Sequence, residues 1–363
     1  MYKHTKIAIH MQPYFLNNLQ LLRAIAAIFV TLLHIEGAVS LYSASPEDSI
    51  FKVFKNIGWA GVDLFFVLSG FMMVYVSADK VGVKHAPVDF LKARIIRIAP
   101  LYWLVTSATL ALLLVYPTIF RWLALDWWHV IASYMFLPAQ NMLGLVQPLV
   151  PVGWTLSYEM YFYAIFALGL LLPNLWWLMV TITVYFTASV LLQPYSDPSN
   201  IYSQFLTNSI LLEFVLGAWA GIGFFKNRLP NTALCILLII SCILWVGIVG
   251  YRDELQTLNR VILWGIPCLC LIYALITLEK KNIFVTPAWI VAIGNSSYAL
   301  YLTHYFVLAI WGRLAKSAGL ANFIGPNGFA IISLILCLIG AHILHVRLEK
   351  PITVFLKQRF ISH

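Results

Sequence analysis

Residues 21–38 read LLRAIAAIFVTLLHIEGA, and this stretch decides what kind of protein the chain forms. It is apolar for long enough to cross the roughly 30 Å hydrocarbon core of a bilayer as a helix, yet Arg23 and His34 lie within it. Eleven residues of helix turn only about 20° past three full turns, so the two side chains share one face, roughly 16 Å apart along the axis. An ionisable group near mid-membrane costs roughly 2.5 to 3.5 kcal/mol on insertion scales. Two on one stripe are therefore read as lining a cavity enclosed by protein. The plainer alternative has Arg23 snorkelling to the inner surface and His34 at the outer interface.

The rest of the chain has the same character. Of 363 residues, 61% are hydrophobic and 10% charged, with a mean hydropathy of +0.86, which excludes an ordinary soluble domain. Nine more apolar windows follow 17–40, at 57–77, 98–117, 154–172, 175–192, 205–225, 233–250, 260–278, 290–312 and 327–348. An all-α, polytopic membrane protein with about ten transmembrane helices is predicted. With the N-terminus cytoplasmic, fifteen of the 23 Lys and Arg fall inside and seven outside, which puts both termini in the cytoplasm. The formal charge of +9 then requires no nucleic acid. The opening run is too long for a cleaved signal peptide and is expected to remain as an anchor. The five cysteines (Cys235, Cys242, Cys268, Cys270, Cys337) show no CxxC spacing and are read as small apolar filler rather than a disulfide framework or metal centre. No repeat or low-complexity segment divides the chain, so residues 1–363 are taken as a single domain.

Polar residues inside these windows mark the chemistry. Asp63 enters near the outer end of the second window, where it is expected to orient or charge His34; interfacial solvation is the alternative. Ser69 and Gly70 form a small patch where another helix can approach. Arg94 and Arg97, three apart, face the same way and suit phosphate, although the positive-inside rule alone would also place arginines there. Residues 117–153 contain Trp122, Trp127, Trp128 and Tyr134 and then LPAQNMLGLVQPLVPVGW. They read as an outer aromatic belt or, more specifically, as a sugar-binding rim. In WTLSYEMYFYAIF, Glu159 is the only acid, with Trp154, Ser157, Tyr158 and Tyr161 around it. Glu213 is the only ionisable residue well inside the windows between 175 and 278, which read as scaffold. Ser297, Tyr301 and His304 share one helix face at offsets of four and three. His342 and His345 near the last window lack the partners a metal site needs, and no metal is expected.

With these residues located, the chain resembles the membrane acyltransferase family 3, and within it the bacterial exopolysaccharide and O-antigen O-acetyltransferases. Four blocks carry the resemblance: Arg23 and His34 as Arg-x10-His; GVDLFFVLSGF at 61–71; RIIRIAPLYW at 94–103; and WTLSYEMYFY at 154–163. GNSSYALYLTH at 294–304 and the closing Glu349-x-Pro351 add support. The resemblance implies ten helices in the bacterial inner membrane. It also implies an acyl group, acetyl first and succinyl in some relatives, taken from cytoplasmic acyl-CoA as co-substrate with no permanently bound cofactor. The acceptor it implies is a hydroxyl of an exported polysaccharide or lipid-linked glycan. The family's essential Arg and His carry over to Arg23 and His34, and its arginine pair to Arg94 and Arg97. Some relatives carry a fused extracytoplasmic domain; none is expected here.

Residue chemistry and resemblance converge on one scheme. Arg94 and Arg97 hold the phosphates, Arg23 guides the pantetheine arm past Ser69, and His34 acts as general base, a role worth about 10² to 10⁴ in rate. Asp63 stabilises the imidazolium, and Trp154, Glu159, Tyr298, Tyr301 and His304 lie on the acceptor side. A transient acyl-His is the covalent variant. A transporter of glycan or small molecule, or a non-catalytic assembly subunit, would also place charges inside a helical bundle. Neither would yield an acylated product.

Overall fold

A computed structural model of the protein describes residues 16–116, 125–257 and 259–361. Lys3, Lys6, Arg121 and Trp122, which entered the charge and belt readings, lie outside the described residues. Among those described, the chain is helical without a named strand. The helices are α1 (Asn17–Tyr42), α2 (Phe54–Ile57), α3 (Ala60–Ser77), α4 (Ala86–Val115), α5 (Trp127–Tyr134), α6 (Trp154–Gly169), α7 (Leu175–Leu191) and α8 (Ile201–Leu206). They continue as α9 (Leu211–Phe225), α10 (Thr232–Gly250), α11 (Ile266–Lys280), α12 (Ala288–Asn295), α13 (Ser297–Ser317), α14 (Leu320–Leu344) and α15 (Lys350–Phe360).

Each of the ten apolar windows overlaps a helix. Among the described residues, seven helical stretches are long and apolar enough to cross a membrane: Asn17–Tyr42, Phe54–Lys80, Ala86–Val115, Ile201–Phe225, Thr232–Gly250, Val261–Lys280 and Leu320–Phe360. The other three windows fall on α6 with 16 residues, α7 with 17, and α13, which gives up apolar positions to Thr303, His304 and Arg313. Lipid-facing surface is evident where the bundle is bare. α10 exposes Ile236, Leu237, Ile240, Ile243, Leu244 and Ile248, and α14 exposes Ile331, Ile335, Ile339 and Ile343 at four-residue spacing. A stripe of that period on a helix with no neighbour over it needs an apolar solvent.

Capping chemistry sets several helix starts. Asn174, Asn200 and Asn231 accept the first free N–H groups of α7, α8 and α10, and Asp126 does so for α5. The start of α1 is capped from outside its own segment: the backbone N–H groups of Asn17 and Asn18 donate to the two carboxylate oxygens of Glu279 at 2.6 and 2.8 Å. Orphan amides and a carboxylate satisfy each other there. This ties α1, the central helix, to α11; α1 also packs on α3, α12, α13 and α14. Two turns of π-helix, Val261–Gly265 and His345–Glu349, precede α11 and α15, and each sits beside a buried ion pair.

The closest helix pair is α3 with α9. A Cβ on Gly70 would stand 1.9 Å from Phe214 O, and one on Gly217 would stand 1.9 Å from Val67 O. These glycines let two backbones meet without side chains between them, the role foreseen for the patch at Gly70. Gly217→Ala is expected to destabilise the fold by about 1 to 3 kcal/mol, since backbone rather than a flexible side chain must yield. Reversible unfolding in mixed micelles measures it, and a wild-type midpoint would contradict the packing.

Candidate active site

A cavity of about 440 Å³ opens among α1, α3, α4, α6 and α13, within the range of small-molecule sites. Three guanidiniums line it. Arg23 reaches it from α1 and makes no hydrogen bond or ion pair among the described residues. Arg94 lies over the rings of Phe90 and Tyr163, 5.4 and 5.9 Å from their centroids, with its Nε buried and without a hydrogen-bond partner among the described residues. Arg97 lies 5.6 Å over Tyr298 and forms an ion pair with Glu349, which also accepts from His345 Nδ1 at 2.8 Å. The π turn brings Glu349 to this position, giving the Glu349-x-Pro351 sequence a structural purpose. Because a guanidinium has five N–H donors, Arg97 holds Glu349 and still has donors for an anion.

Glu159 accepts from Ser69 Oγ at 3.0 Å and from the Tyr163 hydroxyl, which brings the two hydroxyl oxygens to 3.1 Å from each other. The small polar patch on α3 thus becomes part of the wall. At the far end the cavity stops at Val62, Phe65, Thr155 and Tyr301. There the Tyr301 hydroxyl donates to Val152 O at 3.0 Å and lies 2.7 Å from Thr155 Oγ1.

His34 and His304 are not among the cavity-lining residues. Gly58 meets Phe29 and Leu33 and Gly61 meets Ala26 and Val30, so α3 runs antiparallel to α1, and Val62 lies on the Ala26 side of Val30, more than one turn from His34. His304 is one turn beyond Tyr301 on α13, and the two imidazoles face each other with centroids 4.8 Å apart. Each ring's Nδ1 contacts a carbonyl one turn back on its own helix, His34 to Val30 O at 2.8 Å and His304 to Leu300 O at 2.9 Å. A carbonyl only accepts, so in the neutral rings Nδ1 carries the hydrogen and Nε2 keeps a lone pair. His304 Nε2 is buried and has no partner among the described residues.

Asp63 requires a correction. It does not pair with His34. Its carboxylate, fully buried, takes a two-point ion pair from Arg260, with Nε–Oδ1 2.6 Å and Nη2–Oδ2 2.9 Å. Arg260 looked like an outer-loop cation in the sequence, but it sits at the mouth of the π turn before α11, and its fork geometry matches a carboxylate better than a single imidazole nitrogen does. Glu213, read as scaffold, belongs to the same cluster: it is fully buried, with its carboxyl group against that of Asp63 and near Arg260. Neither residue was legible as a partner, because one-dimensional spacing does not bring α9, α11 and α3 together.

Trp154 does not line the larger cavity. It faces a second pocket, of about 200 Å³, formed by residues 137–148, the start of α6, and α8 with Asn208. Thr155, Leu156 and Glu159 face the larger cavity, so α6 is a wall between the two. The exposed rings of Trp127 and Trp128 fit the belt reading of that region.

Residues 16–346 match the acyltransferase 3 family, described as an acyltransferase domain. The exopolysaccharide production protein ExoZ of Rhizobium meliloti (strain 1021) is 35% identical over 306 residues, covering 82% of this chain and 90% of that protein. No solved structure matches the chain.

Proposed function

This chain belongs to the acyltransferase 3 family, and on that premise we propose that it moves an acetyl or other short acyl group from cytoplasmic acyl-CoA to a hydroxyl of an exported polysaccharide or its lipid-linked precursor. The observation that carries the reading is the cavity with Arg23, Arg94 and Arg97 along its walls and a pair of imidazoles outside its lining, His304 one helical turn past the lining residue Tyr301. Acyl-CoA is a polyanion on a thin arm, so its phosphates suit the arginine end and its thioester the imidazole end. Ten spans with both termini cytoplasmic, in a bacterial inner membrane, would put the arginine end toward the cytoplasm and the imidazoles toward the outer half. The chain's likeness to an exopolysaccharide production protein supports a polysaccharide acceptor.

In this scheme the thioester passes Phe65 and Tyr301 to reach His34. The acceptor oxygen forms a bond to the acyl carbon while His34 Nε2 takes the hydroxyl proton; the carbon–sulfur bond breaks and CoA leaves as thiolate. His34 then returns the proton to the sulfur, and the products are acyl ester and free CoA. His304 Nε2 is left to orient the incoming hydroxyl. Asp63, held by Arg260, acts on the placement of α3 and α11 and not on the imidazole.

Arg94 is the cleanest handle on donor binding, because no carboxylate depends on it among the described residues. Arg94→Ala is expected to raise the KM for acyl-CoA by about 10- to 100-fold, the cost of losing charged hydrogen bonds to phosphate, with a smaller change in kcat. Steady-state rates in nanodiscs check this, and an unchanged KM would remove Arg94 from the donor site.

A further inference from the structure

We propose that the second pocket is a subsite for one neutral pyranose unit of the acceptor chain, distinct from the donor cavity. The proposal rests on the polysaccharide-acceptor reading given above. The two pockets differ in chemistry: the donor cavity has three arginines and a glutamate, whereas no charged residue lines the second. It offers three carboxamides, from Gln147, Gln204 and Asn208, two hydroxyls, from Ser157 and Tyr158, and the ring of Trp154. A carboxamide both donates and accepts, as a sugar hydroxyl does, and an aromatic face takes the apolar C–H face of the ring. No cation is among the lining residues to pair with an anionic ligand. At about 200 Å³ the pocket is below the usual size of drug-like sites and holds a single ring rather than an oligosaccharide.

The polar groups are held in place with one function each left over. Gln204 donates its amide to Pro198 O, leaving Oε1 to accept. Asn208 Oδ1 accepts from Ile210 N at 3.0 Å and its amide also bonds the Tyr158 hydroxyl, leaving one N–H to donate. Gln147 is fixed through its backbone, where N donates to Ala139 O at 3.1 Å and O lies 2.8 Å from Nε2 of the buried His129. Its side-chain amide has no partner among the described residues. Tyr158 is already stacked on Phe205, with centroids 4.2 Å apart. Trp154, half-buried and perpendicular to Tyr158, is the ring left for a ligand. Because α6 separates the pockets, a unit seated on Trp154 is about one helix diameter, roughly 10 Å, from the donor cavity. That lets a neighbouring unit of the same chain reach the imidazoles.

The test is saturation-transfer NMR on the full chain in lipid nanodiscs, free of glycoside detergents, with the methyl glycosides of glucose, galactose and mannose as neutral probes and galacturonate as the anionic one. At least one neutral glycoside is expected to bind and galacturonate not to. Trp154→Ala should weaken that binding by about ten-fold, and Gln147→Ala, at a half-buried amide, should weaken it in a fold little changed. Acetyl-CoA binding should be unaltered in both. Failure of all three neutral glycosides to bind, preference for galacturonate, or full binding by both variants would overturn the subsite. If the neutral glycoside binds and is lost in the variants, but the wild type transfers no acyl group to any glycan, the subsite stands and the acyltransfer reading fails.

Discussion

Replacing His34 with alanine is expected to slow acyl transfer by about 10² to 10⁴-fold while leaving the protein folded in the membrane. The side chain is half-buried, and its one hydrogen bond among the described residues runs to a carbonyl of its own helix, so little of the packing depends on it. His34→Gln is the sharper variant, because a carboxamide can still donate to Val30 O but offers no basic nitrogen. Both variants should bind acyl-CoA with wild-type affinity, since the arginines lie a cavity's length away. Transfer rates, read with donor binding and elution profile, check the claim. A wild-type rate in either variant would remove the base from the scheme.

Arg260→Met is expected to give the largest loss of stability, about 3 to 5 kcal/mol, the usual cost of leaving one partner of a buried ion pair behind. Asp63 is fully buried, and the fully buried Glu213 carboxyl group lies against it. Removing the only guanidinium paired with Asp63 leaves two carboxyl groups to share a dry site. The double variant Asp63→Asn with Arg260→Met should recover much of the loss, because it removes the orphaned charge as well. Unfolding of the single and double variants in mixed micelles gives the coupling energy. Equal and additive losses would show that the pair contributes nothing as a pair. If Asp63 instead served His34, Asp63→Asn would cut the rate without this coupling to Arg260.

The helical, membrane-spanning character was legible because a bilayer demands one feature that sequence displays directly: apolar runs of sufficient length. Arg23 and Glu159 stood out for a related reason, whereas Arg94 and Arg97 precede their window and are legible from their spacing, and Glu159 is expected on the acceptor side. Ionisable groups are expensive inside apolar windows, so each announces that something polar faces it, and the structure brings these four to one cavity. What each one faces is a property of packing. Asp63 and His34 both lie toward the same end of adjacent helices, yet the carboxylate goes to Arg260 because α11 brings a fork-shaped donor against α3. The pairing of Arg97 with Glu349 spans 252 residues and depends on a π turn that no periodicity revealed. The second pocket was hidden for the opposite reason: amides in a loop cost little anywhere, so Gln147, Gln204 and Asn208 carry no signal until the fold gathers them.

The most direct measurement supplies purified protein in nanodiscs with isotopically labelled acetyl-CoA and de-esterified exopolysaccharide from the same cell, and follows the label by mass spectrometry. The account predicts labelled acetyl ester on the glycan with free CoA released in equal amount, both lost in His34→Ala. Glycan left unlabelled with acetyl-CoA intact, by a protein that is folded and binds both, would contradict it.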